Sequence, residues 1–475
     1  MPQLQINQGP QDALLYDNSR SYFTNVGYVR TSNFQMELRD VDSQNTAKLG
    51  STVQFVIPKA ADLLGPVDLM LTTKSADGGA GAGVQASWVK KFGFACIDQI
   101  TFSVGSHDIE KISGDQLDII NELMRDDESR YGSIIGNIPG NYATDNVHLE
   151  SLNIIDGTNY TGGQSFIVPL GLFFTKHPSQ YFPLAAIAGC NDVRITIRFR
   201  PRTDLIRSHG TPAVDSKDVA SADIESAQLR CHYIHVTGPE ASTLMNKEHV
   251  RLLKLFHHDS KQVAAAYSGK VSMDLSFLHP VSELIIVMRK DEEFNGTDNT
   301  KTAFFNYQPQ MQKFSLTLNG QDRHPSLSSG IEKSYIQERL MPMLHSNTSN
   351  NHPTPTTTAS MNVDTSALQV TFTPAVDSSA VPTQQTVNVT GVATSSVSID
   401  NSLHQLLDRK EIIVYPFSLN PEGSNPAGAV NFSKVSHAKL SIDVDTVAVA
   451  STIDVYAVYY NWLQIKDGRA LTSFA

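Results

Sequence analysis

The sequence predicts an all-β protein built as two consecutive β-sandwiches with a few short inserted helices. Three observations predict it: apolar residues alternate with polar ones at a period of two, one order of elements occurs twice at a fixed spacing, and the chain is too long for a single core. Its 475 residues exceed a usual domain of about 100 to 200, and all-β units reach about 250. Hydrophobic residues at 40% and charged residues at 18% supply apolar material for two cores and exclude wholesale disorder.

The strands are read from alternation. Val271, Met273, Leu275 and Phe277 point one way while Lys270, Ser272, Asp274 and Ser276 point the other, the pattern of a half-buried strand. The same pattern holds for Ile100, Phe102 and Val104, for Ile195, Ile197 and Phe199, for Leu229, Cys231 and Tyr233, and for Phe314, Leu316 and Leu318. Turns and long polar loops between such strands predict sandwiches. One helix is predicted after Ser113, where Ser113 and Gln116 have capping-box spacing and Leu117, Ile120 and Met124 share a face.

The repeat is read next. Pro66-Val67 opens a strand at 68–71 and Pro280-Val281 opens one at 283–287, a spacing of 214 residues that also separates Ile100 from Phe314. A turn and a helix follow at Gly114 and again at Gly330. Apolar strands at 166–174 and 412–419 come next, interrupted by Pro169 and Pro416.

Those prolines lie 247 residues apart, so the second half carries an insertion. No Lys or Arg occurs between Arg339 and Arg409, and the tract SNTSNNHPTPTTTAS at 346–360 is too polar to form a core. The segment at about 346–400 reads as an elaborated surface loop, in which alternating Leu368, Val370 and Phe372 predict a small hairpin. The first half has polar insertions around 141–163 and 202–222 and a glycine-alanine turn at 78–83. The division that follows is an N-terminal arm at 1–25, a first sandwich at 26–237, a linker at 238–250 and a second sandwich at 251–475.

A formal charge of −11 gives a surface that repels phosphate, which excludes direct wrapping of nucleic acid. Cys96, Cys190 and Cys231 are too few and scattered for a disulfide framework or a CxxC metal site, and read as reduced thiols made in a cytosolic compartment. The first twenty residues carry no basic residue before Arg20 and no apolar core of signal-peptide length, which predicts synthesis without export. No apolar run approaches the roughly 18 to 20 residues that span a bilayer.

No constellation for chemistry stands out. His232 and His235 lie three apart on a strand, so their imidazoles face opposite sides and cannot converge on one metal. His257 and His258 also point apart and read as strand-end or interface residues. The runs Asp126-Asp127-Glu128 and Asp291-Glu292-Glu293 sit beside Arg125, Arg130, Arg289 and Lys290 and read as solvated loop charge without an EF-hand pattern. No GxxxxGK[ST], GxSxG or HExxH string is present. Candidate glycan acceptors are the loop sequons at Asn159, Asn295, Asn347 and Asn388, whereas Asn431 reads as structural. The expectation is therefore no catalytic, metal or cofactor site.

Several strings, spread along nearly the whole chain, resemble the major capsid proteins of nucleocytoplasmic large DNA viruses, including those that infect algae. They are YVRTSNFQMEL at 28–38, VGSHDIEKISGDQLDIINELM at 104–124, FIVPLGLFF at 166–174 and FPLAAIAGCNDVRITIRF at 182–199. The second half adds LNGQDR at 318–323, YPFSLNPEGSNPAGAVNFSKVSHAKLSI at 415–442 and VYAVYYNWLQI at 455–465. The resemblance implies two eight-stranded jelly rolls in one chain, with three chains forming a pseudo-hexagonal capsomer that tiles an icosahedral shell.

It further implies that the 346–400 insertion belongs to the outer crown. The N-terminal arm is expected low, against minor capsid proteins or near an internal viral membrane. The protein is expected in the virion after synthesis in the host cytoplasm, with no cofactor and no enzymatic role. Gly468-Arg469-Ala470-Leu471 stands where the family often ends in a glycine-rich segment. A viral lectin-like or receptor-binding protein on the same rolls is the alternative. A metal-dependent jelly-roll enzyme of the cupin type needs an HxH pair, which the sequence lacks.

Overall fold

The computed structural model describes residues 34–74, 84–124, 134–136, 153–156, 159–160, 163–187, 189, 191–210, 222–236, 238–291, 304–323, 330–341, 359–364, 394–399, 411–421, 423 and 426–473. The chain enters through β1 (Phe34–Asp42), β2 (Thr52–Ile57) and β3 (Leu63–Thr73), then β4 (Val84–Trp88), β5 (Ile97–Val104) and β6 (His107–Ile112). Helix α1 (Gly114–Met124) follows, then β7 (Asn153–Asp156), β8 (Asn159–Tyr160) and β9 (Ser165–Pro169). This half closes with β10 (Phe182–Pro183), β11 (Val193–Phe199), β12 (Ile206–Gly210) and β13 (Ile224–Val236).

The segment read as a linker carries a helix, α2 (Pro239–Asn246), which leads into β14 (His249–Val263), β15 (Gly269–Asp274) and β16 (Pro280–Lys290). Then come β17 (Met311–Leu318), β18 (Gln321–Asp322) and β19 (Ile331–Glu332), the insertion strands β20 (Ala359–Asp364) and β21 (Thr394–Ile399), and β22 (Ile413–Pro416). The last strands are β23 (Val430–Asn431), β24 (Ala438–Val444), β25 (Ser451–Lys466) and β26 (Arg469–Thr472).

The strand order occurs twice. In the first half β1-β13-β3, with β9 on β3, forms one sheet, and β2-β11-β5-β6 forms the other. In the second half β14-β25-β16, with β22 on β16, faces β15-β24-β17-β18. These are two jelly rolls of eight principal strands each. The 214-residue spacing is structural: β3 and β16 occupy equivalent places, as do β5 and β17. Pro169 pairs with Asp68 and Pro416 with Glu283, at the ends of equivalent strands.

Several elements differ from expectation. Pro66 does not open β3, which starts at Leu63; the register against β13 slips between Cys231 and Tyr233, opposite Val67 and Leu64. Proline has no N–H for a sheet ladder, so an interior proline sits at such an irregularity. The equivalent slip lies between Val281 and Glu283, beside Pro280. The strand expected at 166–174 ends at Pro169, because Gly171 turns with φ of 60° and Phe173–Thr175 forms a 3-10 turn. The strand expected at 412–419 is reduced to β22.

Parts of the first-half insertions build a further sheet, β12-β4-β7-β8. Within the second-half insertion the described pair is β20 with β21. The hairpin read at Leu368–Phe372, the 78–83 turn and the N-terminal arm lie outside the described residues.

The cores of both rolls join in one buried apolar cluster. Phe102 packs edge-on to Phe182 with ring centroids 5.2 Å apart, and Phe174 lies 5.2 Å away in the same group. In β16 every residue from Val281 to Arg289 is buried. A strand buried on both faces loses its alternation. The inner face of β16 meets its own roll, and the outer face meets the first.

Candidate functional site

The first turn of α1 fixes the joint between the rolls. The Ser113 N–H donates to Gln116 Oε1 at 2.9 Å and the Gln116 N–H returns to Ser113 Oγ at 3.2 Å, a complete capping box. At Gly114 a Cβ would lie 2.2 Å from the Phe94 carbonyl oxygen and 2.4 Å from that of Ile97, so only glycine lets the helix start this close to the preceding turn. Asp115 is thereby aimed at two arginines. Arg200, just after β11, donates to its Oδ2 at 3.0 Å, and Arg289 of β16 donates to its Oδ1 at 3.1 Å.

From Arg289 the network runs deeper into the second roll, to Asp454 Oδ2 of β25 at 3.1 Å. His258 Nε2 of β14 lies 2.8 Å from Asp454 Oδ1, and its ring stacks on Tyr456 at 4.7 Å. One turn further along α1 the Tyr307 hydroxyl donates to Asp118 Oδ2 at 2.8 Å. Asp118 and Glu122 also bind Lys91. The Arg200 guanidinium lies over the Phe304 ring, 4.9 Å from its centroid. At the far end of the seam Asn191 Nδ2 donates to the Gly468 carbonyl at 2.8 Å.

The charges support one another. Burial alone would raise Asp115, yet the guanidiniums of Arg200 and Arg289 outweigh it and hold the carboxyl well below the usual carboxylate range. Burial opposes the charge of Arg289 too, and Asp115 and Asp454 overcome it. Buried ion pairs add little to stability relative to apolar packing, but losing one partner is costly, so such a network fixes a single arrangement. Its chemistry is that of a lock.

An open cleft of about 480 Å³ lies along this seam, lined among others by Asp98, Lys111 and Arg200 of the first roll and by His257, His258 and Asp259 of the second.

The residues singled out from sequence are not brought together. His235 Nε2 sits 2.9 Å from Glu37 Oε2 of β1, whereas His232 lies 3.9 Å from Asp68 of β3, on the opposite side of β13. His257 and His258 stand in mid-β14 and not at a strand end, because the strand runs from residue 249 to 263. The His257 ring meets Tyr459 at 4.3 Å, and burial, with His279 adding to it, lowers its pKa.

Asp291 accepts from Thr452 Oγ1 at 2.6 Å and from Gln262 Nε2 at 2.7 Å, so it is a bonded strand-end residue. Its neighbours Glu292 and Glu293 lie outside the described residues, as does the 126–128 run. Cys96 and Cys231 are free and buried, and burial pushes the Cys231 thiol up to about 12. Cys190 lies outside the described residues.

Asn159 stands in β8, paired to Asp156, and not in an open loop. Asn295, Asn347 and Asn388 lie outside the described residues. The Asn431 side chain accepts from the Ser433 N–H at 3.0 Å. Among the described residues no group of three or more His, Cys, Asp or Glu could hold a metal, and no helix is long and apolar enough to cross a membrane.

Sequence reading missed the joint. Asp115, Asp118 and Glu122 share one helix face, but acidic residues spaced along a helix look the same when they face solvent.

The family model for the major capsid protein N-terminus matches residues 21–237. The major capsid protein of Pyramimonas orientalis virus is 25% identical over 464 residues, covering 98% of this chain and 96% of that protein. The chain is similar to major capsid proteins along nearly its whole length. Solved structures show the same fold. The PBCV-1 virus capsid protein, in a quasi-atomic model, superposes with a TM-score of 0.65 at 16% identity, over 96% of this chain and 100% of that one. The Faustovirus major capsid protein gives a TM-score of 0.62 at 10% identity, over 93% and 92% of the two chains. The double jelly roll of the capsid proteins is thus kept where few side chains are shared.

Proposed function

We propose that this chain is the repeating block of an icosahedral virus shell and that three copies form its capsomer. The observation that carries this reading is the joint: two rolls of equal topology are locked by buried charge into one body with two similar sides. Three such bodies supply six rolls in a pseudo-hexagonal outline. Many weak lateral contacts then act together across a shell.

In this reading the 346–400 insertion belongs to the outer surface, and the N-terminal arm lies low against minor capsid proteins near an internal membrane. The negative charge keeps the block from wrapping nucleic acid directly. Its work is mechanical, with no substrate turned over and no cofactor held. The protein is made in the host cytoplasm and ends in the virion. Asn159, Asn295, Asn347 and Asn388 are the positions to inspect for attached glycan.

Light scattering on the purified chain tests the proposal. A species near three times 52.0 kDa is expected. A strict monomer at high concentration overturns it, and tight glycan binding by that monomer would support the lectin-like alternative.

A further inference from the structure

Because the two rolls share one strand order, the joint inside the chain shows how one roll can receive another. The second roll meets the first with the outer face of β14-β25-β16, which carries His258, Tyr456, Asp454 and Arg289. The first roll meets it with α1 and the edge strand β6. Each roll thus uses one surface in the joint and keeps the counterpart of the other.

The counterpart kept by the first roll is the outer face of β1-β13-β3. Here β3 retains the alternation that β16 has lost: Leu69 and Leu71 are buried, while Asp68, Met70 and Thr72 are only half-buried. On β1, Met36 and Leu38 point to the same side and are 52% and 61% exposed. Leu38 pairs with His232 and Asp40 with Arg230. Arg230 donates to the two Asp40 oxygens at 2.9 and 3.1 Å, and His232 lies 3.9 Å from Asp68. This face therefore presents apolar, Arg, His and Asp side chains, the kinds that the joint uses. Adjacent long apolar side chains exposed beside paired charges are the usual core of a protein contact.

The counterpart kept by the second roll is its β18 side. In β15-β24-β17-β18 the end strand β18 stands where β6 stands in β2-β11-β5-β6. A helical turn, Lys333–Tyr335, follows it where the first roll has α1. Gln321 and Asp322 are exposed, and the Tyr335 ring side chain is an aromatic anchor at 54% exposure.

We propose that the outer face of β1-β13-β3, centred on Met36 and Leu38, binds the β18 side of a second copy, around the Tyr335 of that copy. This deepens the trimer reading and rests on it. The contact joins unlike surfaces, so it propagates from copy to copy and ends only when a ring closes. In a ring of three, each joint within a chain alternates with one such contact between chains. Arg230 already holds Asp40, so the contact forms without leaving that guanidinium unpaired.

Light scattering on the full-length chain tests the assignment, with the double variant Met36→Asp, Leu38→Asp and the control Val250→Asp. Two carboxylates on the open face would be buried unpaired in the contact. Val250 is 57% exposed but lies on the second-roll face already used by the joint. The wild type and the control should run near three times 52.0 kDa and the double variant near 52.0 kDa, with the same far-UV circular dichroism. A double variant that stays trimeric overturns this contact and leaves the trimer standing, whereas a monomeric wild type overturns the trimer and the contact together. A chain carrying Leu38→Cys and Tyr335→Cys, treated with a short thiol cross-linker, should give covalent trimers beyond those of the wild type treated alike. Linking by Leu38→Cys alone would show that the face meets itself, and overturns the assignment.

Discussion

Glu110 of β6 is buried, with the Phe173 N–H donating to its Oε2 at 2.9 Å. Burial pushes its pKa up from 4.5 to about 7, against that hydrogen bond and the charge of Lys176. In the unfolded chain the same carboxyl ionises near its ordinary value. The fold is therefore favoured by this group below the ordinary value, loses that advantage as pH rises toward 7, and carries the full penalty above it. A shift of this size corresponds to about 3 kcal/mol. Glu110→Gln, which keeps an acceptor for Phe173, should raise the urea midpoint at pH 8 and leave it nearly unchanged at pH 4.5. Equal shifts at both values would show that charge is not the cause. Asp115 has the opposite sign: its contribution is present above the ordinary carboxylate range and is lost as pH falls through its lowered value. None of this was legible beforehand, because a charged letter in the sequence does not say whether it meets water or a guanidinium.

Elements were more legible where one face alone is buried. In β17 the alternation of Phe314, Leu316 and Leu318 follows the sheet, and the capping box at Ser113 and Gln116 forms as its spacing predicts. Legibility failed where local geometry or long-range packing overrides the pattern. Apolar letters continue past Pro169 through Phe174, yet Gly171 turns the backbone and ends the strand. The sheet β12-β4-β7-β8 draws its strands from three separate connections, whose pairing no local signal announces. Gly114 marks the tightest approach: Gly114→Ala would press a methyl into the Phe94 and Ile97 carbonyls. Main-chain atoms must then move, at a cost of several kcal/mol, roughly the range of severe overpacking. Thermal unfolding should show a large drop in midpoint, and an unchanged midpoint would mean that α1 can shift freely.

At the scale of the molecule, the outer face of the second roll that meets the first combines apolar residues with the buried charges of the joint. Ile285 and Val287 of β16 share the side of Arg289, with Tyr456 and Asp454 across from them on β25. A single calorimetric unfolding transition is expected, since separating the rolls exposes this surface along with unpaired charge. Two resolved transitions, the first leaving one roll folded, would show that the joint is weaker than its burial suggests. The duplication itself was readable from the spacing of Pro66 and Pro280, but the contact between the copies was not, because the repeat sets the fold of each unit and says nothing of which faces meet.

The strand order also constrains synthesis. In each roll the last long strand lies in the middle of its sheet: β13 sits between β1 and β3, and β25 between β14 and β16. A nascent chain can close its first roll once Val236 has cleared the ribosome. The second stays open until β25 has emerged, because at Ala450 β14 and β16 would flank an empty slot.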